Sequence, residues 1–110
     1  MTINFELSKK EDANKMRQIL VRISVSRTFR VGSKTGLYVS LKDWDEKNNS
    51  VRKISKIERV EKQQELATLR DELAKLESHI EQAIISEREL EKMTDKKDRQ
   101  EWIDFVIESF

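Results

Sequence analysis

The spacing of apolar residues changes once along this chain, near residue 55, from every second residue to every third or fourth. A period of two belongs to half-buried strands and one near 3.6 to an amphipathic helix, so one chain must build both. Ile3, Phe5 and Leu7 alternate with Thr2, Asn4 and Glu6, predicting a first strand. Lys9–Asn14 is polar and aperiodic and reads as a loop. Ile19, Val21, Ile23 and Val25 then alternate with Leu20, Arg22, Ser24 and Ser26 as a second strand. A two-residue turn at Ser26-Arg27 would turn Phe29 to solvent. A three-residue loop, Ser26–Thr28, sets Val25 opposite Phe29 and Ile23 opposite Val31 on one face, and is preferred. Gly32 and Gly36 mark a bulge or bend. Beyond them Leu37, Val39 and Leu41 are expected inward, with Tyr38, Ser40 and Lys42 outward. Trp44 closes the small core, and Glu46–Ser50 is a polar turn.

From Lys56 the helical period takes over. Leu66, Leu69, Leu73, Leu76, Ile80, Ala83 and Leu90 form one apolar stripe among charged residues, with no Gly or Pro to interrupt it. This predicts a single helix to about Met93, then a break at Thr94–Lys97 with Thr94 or Asp95 as the next cap. A second helix follows, carrying Trp102, Phe105, Val106 and Phe110, whose apolar face has no evident partner in the chain. The expected class is α+β: a small three-stranded antiparallel sheet, a long amphipathic helix, then the start of a second helical unit. The expected divisions are 1–55, 56–94 and 95–110. The sheet's apolar face needs a cover, and the long helix is expected to provide it through Ile57, Val60 and Leu66.

With 110 residues there is room for one small domain and an extended element. No apolar run approaches the length of a membrane span, and the first residues lack the pattern of a secretory signal. Cysteine is absent, which excludes disulfides and thiolate metal sites. A cytoplasmic location is expected, with no membrane partner and no cofactor. Net charge is +1 overall, but residues 1–55 hold 12 Lys+Arg against 6 Asp+Glu, while residues 56–110 hold 10 against 15. A basic half joined to an acidic half points to a polyanion partner for the first.

If the helix covers one face of the sheet, the other stays open and displays Asn4, Arg22, Ser24, Arg30, Tyr38, Ser40 and Lys42. Such a surface, with two arginines and no acid assigned to pair with them, suits phosphates and groove edges. Lys9, Lys10, Lys15, Arg17, Lys34 and Lys53 are candidates for flanking phosphate contacts. A reading of another class is a helical oligomerisation or scaffold module with a small β cap, in which the leucine stripe seeds a dimer. His79 sits among polar helix positions and is expected to be solvated.

The segments Ile3-Asn4-Phe5, Leu20-Val21-Arg22-Ile23-Ser24-Val25, Thr35-Gly36-Leu37-Tyr38-Val39 and Lys42-Asp43-Trp44-Asp45, followed by a long charged helix, resemble a known family. The match is to the N-terminal arm-binding domain of tyrosine-recombinase integrases from Bacteroides-type phages and conjugative transposons. It covers roughly Thr2–Ser55. The family commonly has a Pro before its Trp, where this chain has Leu41 or Lys42. The resemblance implies a sheet whose open face enters the major groove of arm-type DNA sites, with other integrase protomers as partners on the DNA. The long helix would then be a linker, and 95–110 the opening of a SAM-like core-binding domain. Catalysis in that family needs an Arg/Lys/His constellation and a nucleophilic Tyr in a later domain, so this chain is expected to be a fragment without an active site. Tyr38, the one tyrosine, has no basic cluster near it in sequence and reads as a groove contact.

Overall fold

The alternating half forms an antiparallel sheet of β1 (Thr2–Glu11), β2 (Met16–Ser24) and β3 (Arg30–Ser40) in the order β1-β2-β3. The structure, a computed structural model, describes residues 2–87 and 90–110. Ile3 lies opposite Ile23, Phe5 opposite Val21 and Leu7 opposite Ile19, so the apolar set of both strands shares one face. Phe5, Ile19, Val21 and Ile23 are buried there. The β2–β3 turn has the three-residue form. Val25 N–H donates to the Phe29 carbonyl at 3.0 Å, Ser24 faces Arg30 and Ile23 faces Val31. Phe29 is buried, as that register requires.

Three local features differ from the expectation. Lys9 and Lys10 are not in a loop, because β1 runs on to Glu11, which pairs with Arg17 after a register shift. The turn is confined to Asp12–Lys15, where the Asp12 carboxylate accepts from Asn14 and Met16 N–H groups and Lys15 takes φ 60°. Solvated strands that overhang a core need no apolar alternation, so polarity alone misread them. Of the two glycines, only Gly36 makes the bulge. Gln18 pairs with Tyr38 and Leu20 with Lys34, leaving Ile19 opposite Thr35, Gly36 and Leu37. Gly36 has φ +77°, a conformation that glycine adopts without a Cβ penalty. The Thr35 hydroxyl ties the bulge down by donating to the Ile19 carbonyl at 2.6 Å. Finally, Leu41–Asp43 is a 3-10 turn, so Leu41 is exposed instead of inward and Lys42 is not a strand residue.

A hairpin that the sequence showed only as a polar turn follows, β4 (Trp44–Asp45) with β5 (Ser50–Val51). Trp44 and Val51 are both buried in the main core. Asp43, only 3% exposed, joins the 3-10 turn to this hairpin and to the helix beyond. Its carboxylate accepts from Ser40 Oγ at 2.8 Å, Arg52 Nε at 3.0 Å and Lys62 Nζ at 2.6 Å. Arg52 also holds Glu58, whose carboxylate accepts from the Ser55 N–H at 2.8 Å. Arg70 donates to the carbonyls of Val51 and Arg52.

Helix α1 spans Val60–Ser86 and buries Leu66, Leu73, Leu76 and Ile80 against the sheet and hairpin. It begins later than Lys56, because the segment before it is held by the Glu58 contacts in a non-helical path. Ile57 is 95% exposed and Val60 62% exposed, so neither covers the sheet, and Leu66 is the first deeply buried residue of the helix. The helix closes with Glu87 extended and its N–H on the Ala83 carbonyl. The expected run to Met93 crosses residues 88–89, which lie outside the described residues. Leu90–Lys92 is a 3-10 turn with Leu90 buried.

Helix α2 spans Lys96–Glu108, and its cap is Asp95, whose carboxylate accepts from Lys97 N–H at 2.9 Å. Its apolar face does have a partner. Ile103 and Val106 are buried in the same core as the sheet, and Trp102 meets Phe29 edge-on with centroids 6.2 Å apart. Arg99 lies over the Phe29 ring and donates to the Thr28 carbonyl at 2.6 Å. His79 is not simply solvated: Nε2 donates to the Val106 carbonyl at 2.8 Å, which fixes the proton on that nitrogen because a carbonyl only accepts.

Candidate nucleic-acid interface

Strand pairing arranges the uncovered face of the sheet as rows across β1, β2 and β3. Thr2, Ser24 and Arg30 form one row; Asn4, Arg22 and Gly32 the next; Glu6, Leu20 and Lys34 the third. Beyond the bulge a fourth row pairs Gln18 with Tyr38. Asn4, Arg22, Arg30, Lys34 and Tyr38 are all exposed. The sheet is thus one-sided: its other face is the core. Gly32 sits within this surface for a packing reason, since a Cβ there would come within 3.2 Å of the Val21 carbonyl oxygen.

The electrostatics differ from the sequence reading in one respect. Arg22 has an acidic partner: its Nε donates to Glu6 Oε1 at 2.5 Å across the β1–β2 pair. The signal was present, because Glu6 shares the parity of Asn4 on β1 and must share its face. The Arg22 side chain remains 72% exposed, and a guanidinium has five donors, so the pair leaves most of them free. An exposed pair of this kind contributes only about 0–1 kcal/mol, weak enough for a phosphate to compete with Glu6. Arg30 and Lys34 make no ion pair among the described residues.

Other expected contact residues fall elsewhere. Ser40 is half-buried and its hydroxyl is committed to Asp43. Lys42 is exposed on the 3-10 turn, off the sheet. Arg17 belongs to the covered face: it shares the parity of Ile19 and Val21, lies opposite Glu11 and Val39, and has an Nε buried without a partner. Lys9, Lys10 and Lys15 are exposed together near the β1–β2 tip. Lys53 is exposed in the segment between β5 and α1, apart from the rows. Ser24 is half-buried, with its hydroxyl turned toward the Ser26 carbonyl.

Residues that sequence reasoning did not place come from α2. Gln100 donates to the Gly32 carbonyl at 2.9 Å, and Asp104 accepts from Ser33 Oγ at 2.5 Å. With Ile107 and Glu108 they border the β3 side of a hollow of about 1060 Å³ on the open face. Nothing in the spacing of α2 says which strand it meets. No helix among the described residues is long and apolar enough to cross a membrane. Among known proteins the chain matches no family model, no curated protein and no solved structure.

Proposed function

We propose that this chain binds duplex DNA through the open face of β1–β3, as the N-terminal arm-binding part of a site-specific integrase of the tyrosine-recombinase family. The observation that carries the reading is the uncovered sheet face with Arg22, Arg30 and Lys34 on adjacent rows. Strands lie about 4.8 Å apart, so three of them present a slab about 10 Å wide, which fits a major groove about 12 Å wide. In that groove Arg22 and Arg30 meet base edges or phosphates, Asn4 and Tyr38 supply further polar contacts, and the lysines of the β1–β2 tip meet the backbone. The site's duties are recognition and positioning. Arm-type sites, other protomers on the DNA and a cytoplasmic setting follow from the family resemblance and belong to the same proposal.

The scaffold alternative loses its main sequence support, because Leu66, Leu73, Leu76 and Ile80 are used inside the chain. The test is a fluorescence titration of the chain against labelled duplexes at several salt concentrations, with Arg22→Ala/Arg30→Ala beside it. Affinity should fall in the variant, and the log–log salt slope should flatten by roughly 0.9 for each phosphate that is no longer neutralised. Equal affinity and slope in the two proteins would discard the assignment of this face.

A further inference from the structure

The hollow on the open face is bordered by three cations, Arg22, Arg30 and Lys34, and by three carboxylates, Glu6, Asp104 and Glu108. Two of the three carboxylates come from α2: Asp104 reaches the rim beside β3, bonded to Ser33 on the covered side, and Glu108 stands at the helix end. A hollow of about 1060 Å³ is about 10 Å across, so a phosphate at its centre lies about 5 Å from the lining, inside the Debye length of about 8 Å at physiological salt, and meets these charges together. As folded, the surface is electrically balanced where a polyanion would need it positive.

Neither α2 carboxylate is needed for the helix to dock. Asp104 accepts from Ser33 Oγ and from Gln100 Nε2, and a neutral amide oxygen would accept the same bonds. Glu108 is exposed at the last residue of α2, where the helix dipole disfavours an acid. Docking instead rests on Ile103, Val106 and Trp102, and on polar contacts from Arg99 and Gln100.

We infer that α2 is an autoinhibitory element: through Asp104 and Glu108 it holds the open face in a charge-balanced state that binds duplex DNA weakly. This rests on the DNA-binding reading above. Neutralising the two carboxylates, or moving α2 off β3, leaves Arg30 and Lys34 unopposed and strengthens binding.

The test uses the full chain and a labelled random-sequence duplex, which probes backbone affinity. Asp104→Asn/Glu108→Gln is compared with wild type and with Glu101→Gln/Asp71→Asn, a variant with the same change in net charge at exposed positions away from the hollow. Far-UV circular dichroism and thermal unfolding establish that all three are folded. The expected result is a gain of about tenfold or more at low salt for the α2 variant, with a salt slope steeper by up to about 1.8, and little change for the control. If wild type binds and both variants gain equally, net charge alone is responsible and the autoinhibition is overturned while the DNA reading stands. If wild type binds and the α2 variant is unchanged, the same conclusion follows. If neither wild type nor the neutralised variant binds duplex DNA at low salt, the DNA reading fails and the inference fails with it.

Discussion

Asp43 is a carboxylate sealed from water between the 3-10 turn, the β4–β5 hairpin and the start of α1, accepting from Ser40, Arg52 and Lys62. Burial pushes its pKa up, but the bonds from Lys62, Ser40 and Arg52 together outweigh that and hold it below the ordinary value of 3.8. Glu58 is shifted the same way, chiefly by Arg52. A carboxyl group whose folded pKa lies below its unfolded value stabilises the fold above the unfolded pKa and loses that contribution as pH falls through the folded one. Stability should therefore be level near neutrality and decline below about pH 4. Asp43→Asn should cost about 2–4 kcal/mol at pH 7, because two cations lose their shared anion, though both are partly exposed and can rehydrate. Urea unfolding across a pH series reads both effects; a variant as stable as wild type at pH 7, or with an equally steep acid decline, would contradict this role. The Lys42-Asp43-Trp44-Asp45 motif was visible in the sequence, but Asp43's burial was not. It depends on Arg52 and Lys62, 9 and 19 residues later, whose approach only the fold determines.

At the level of elements, strand alternation carried the most information. Ile19, Val21 and Ile23 are buried in the parity they show in sequence, and the Ser26–Thr28 loop has the length that keeps Phe29 inside. Parity failed at Leu41, where the strand has already given way to a 3-10 turn, and in the overhanging end of β1, where no apolar face exists to be read; at Glu6 and Arg17 it was not applied. The α1 stripe was also legible, but its partner was not. A leucine stripe is equally suited to a second helix or to a sheet, and here Leu66, Leu73, Leu76 and Ile80 pack with Phe5, Val21 and Trp44. The chain should accordingly sediment as a monomer with no dependence on concentration. Leu76→Ala should lower unfolding free energy by about 2–5 kcal/mol through the cavity it leaves, without altering the sedimenting mass. A dimer that this substitution dissolves would show that the stripe serves association instead. Helix α2 illustrates the opposite limit. Its aromatic and aliphatic residues were plain, yet nothing local specifies that Ile103 and Val106 return to the sheet that opens the chain.

Across the whole molecule, position and charge combine to give it direction. The fold is elongated, 50 × 26 × 25 Å, and the basic first half of the sequence, which holds the sheet, is joined by part of the acidic second half, since α2 packs against β3. A polyanion approaching the sheet meets Arg22, Arg30 and Lys34 beside the carboxylates of the hollow, and the exposed lysines of the β1–β2 tip, Lys9, Lys10 and Lys15, add to the attraction. The sheet's open face and the β1–β2 tip lie on the basic half, while the outward side of α1 presents Asp71, Lys75 and Ser78 to solvent. An NMR titration with duplex DNA should therefore move the amide signals of Asn4, Arg22, Arg30 and Lys34, with smaller shifts at Lys9, Lys10 and Lys15. Signals from Asp71, Lys75 and Ser78 should stay in place. Shifts should also reach Gln100 and Asp104, which border the hollow without lying on the sheet, because a phosphate near Lys34 perturbs them through the field. Shifts centred on α1, with the sheet silent, would place the contact away from the exposed sheet face and contradict an orientation that follows from the one-sided sheet and the cations on it.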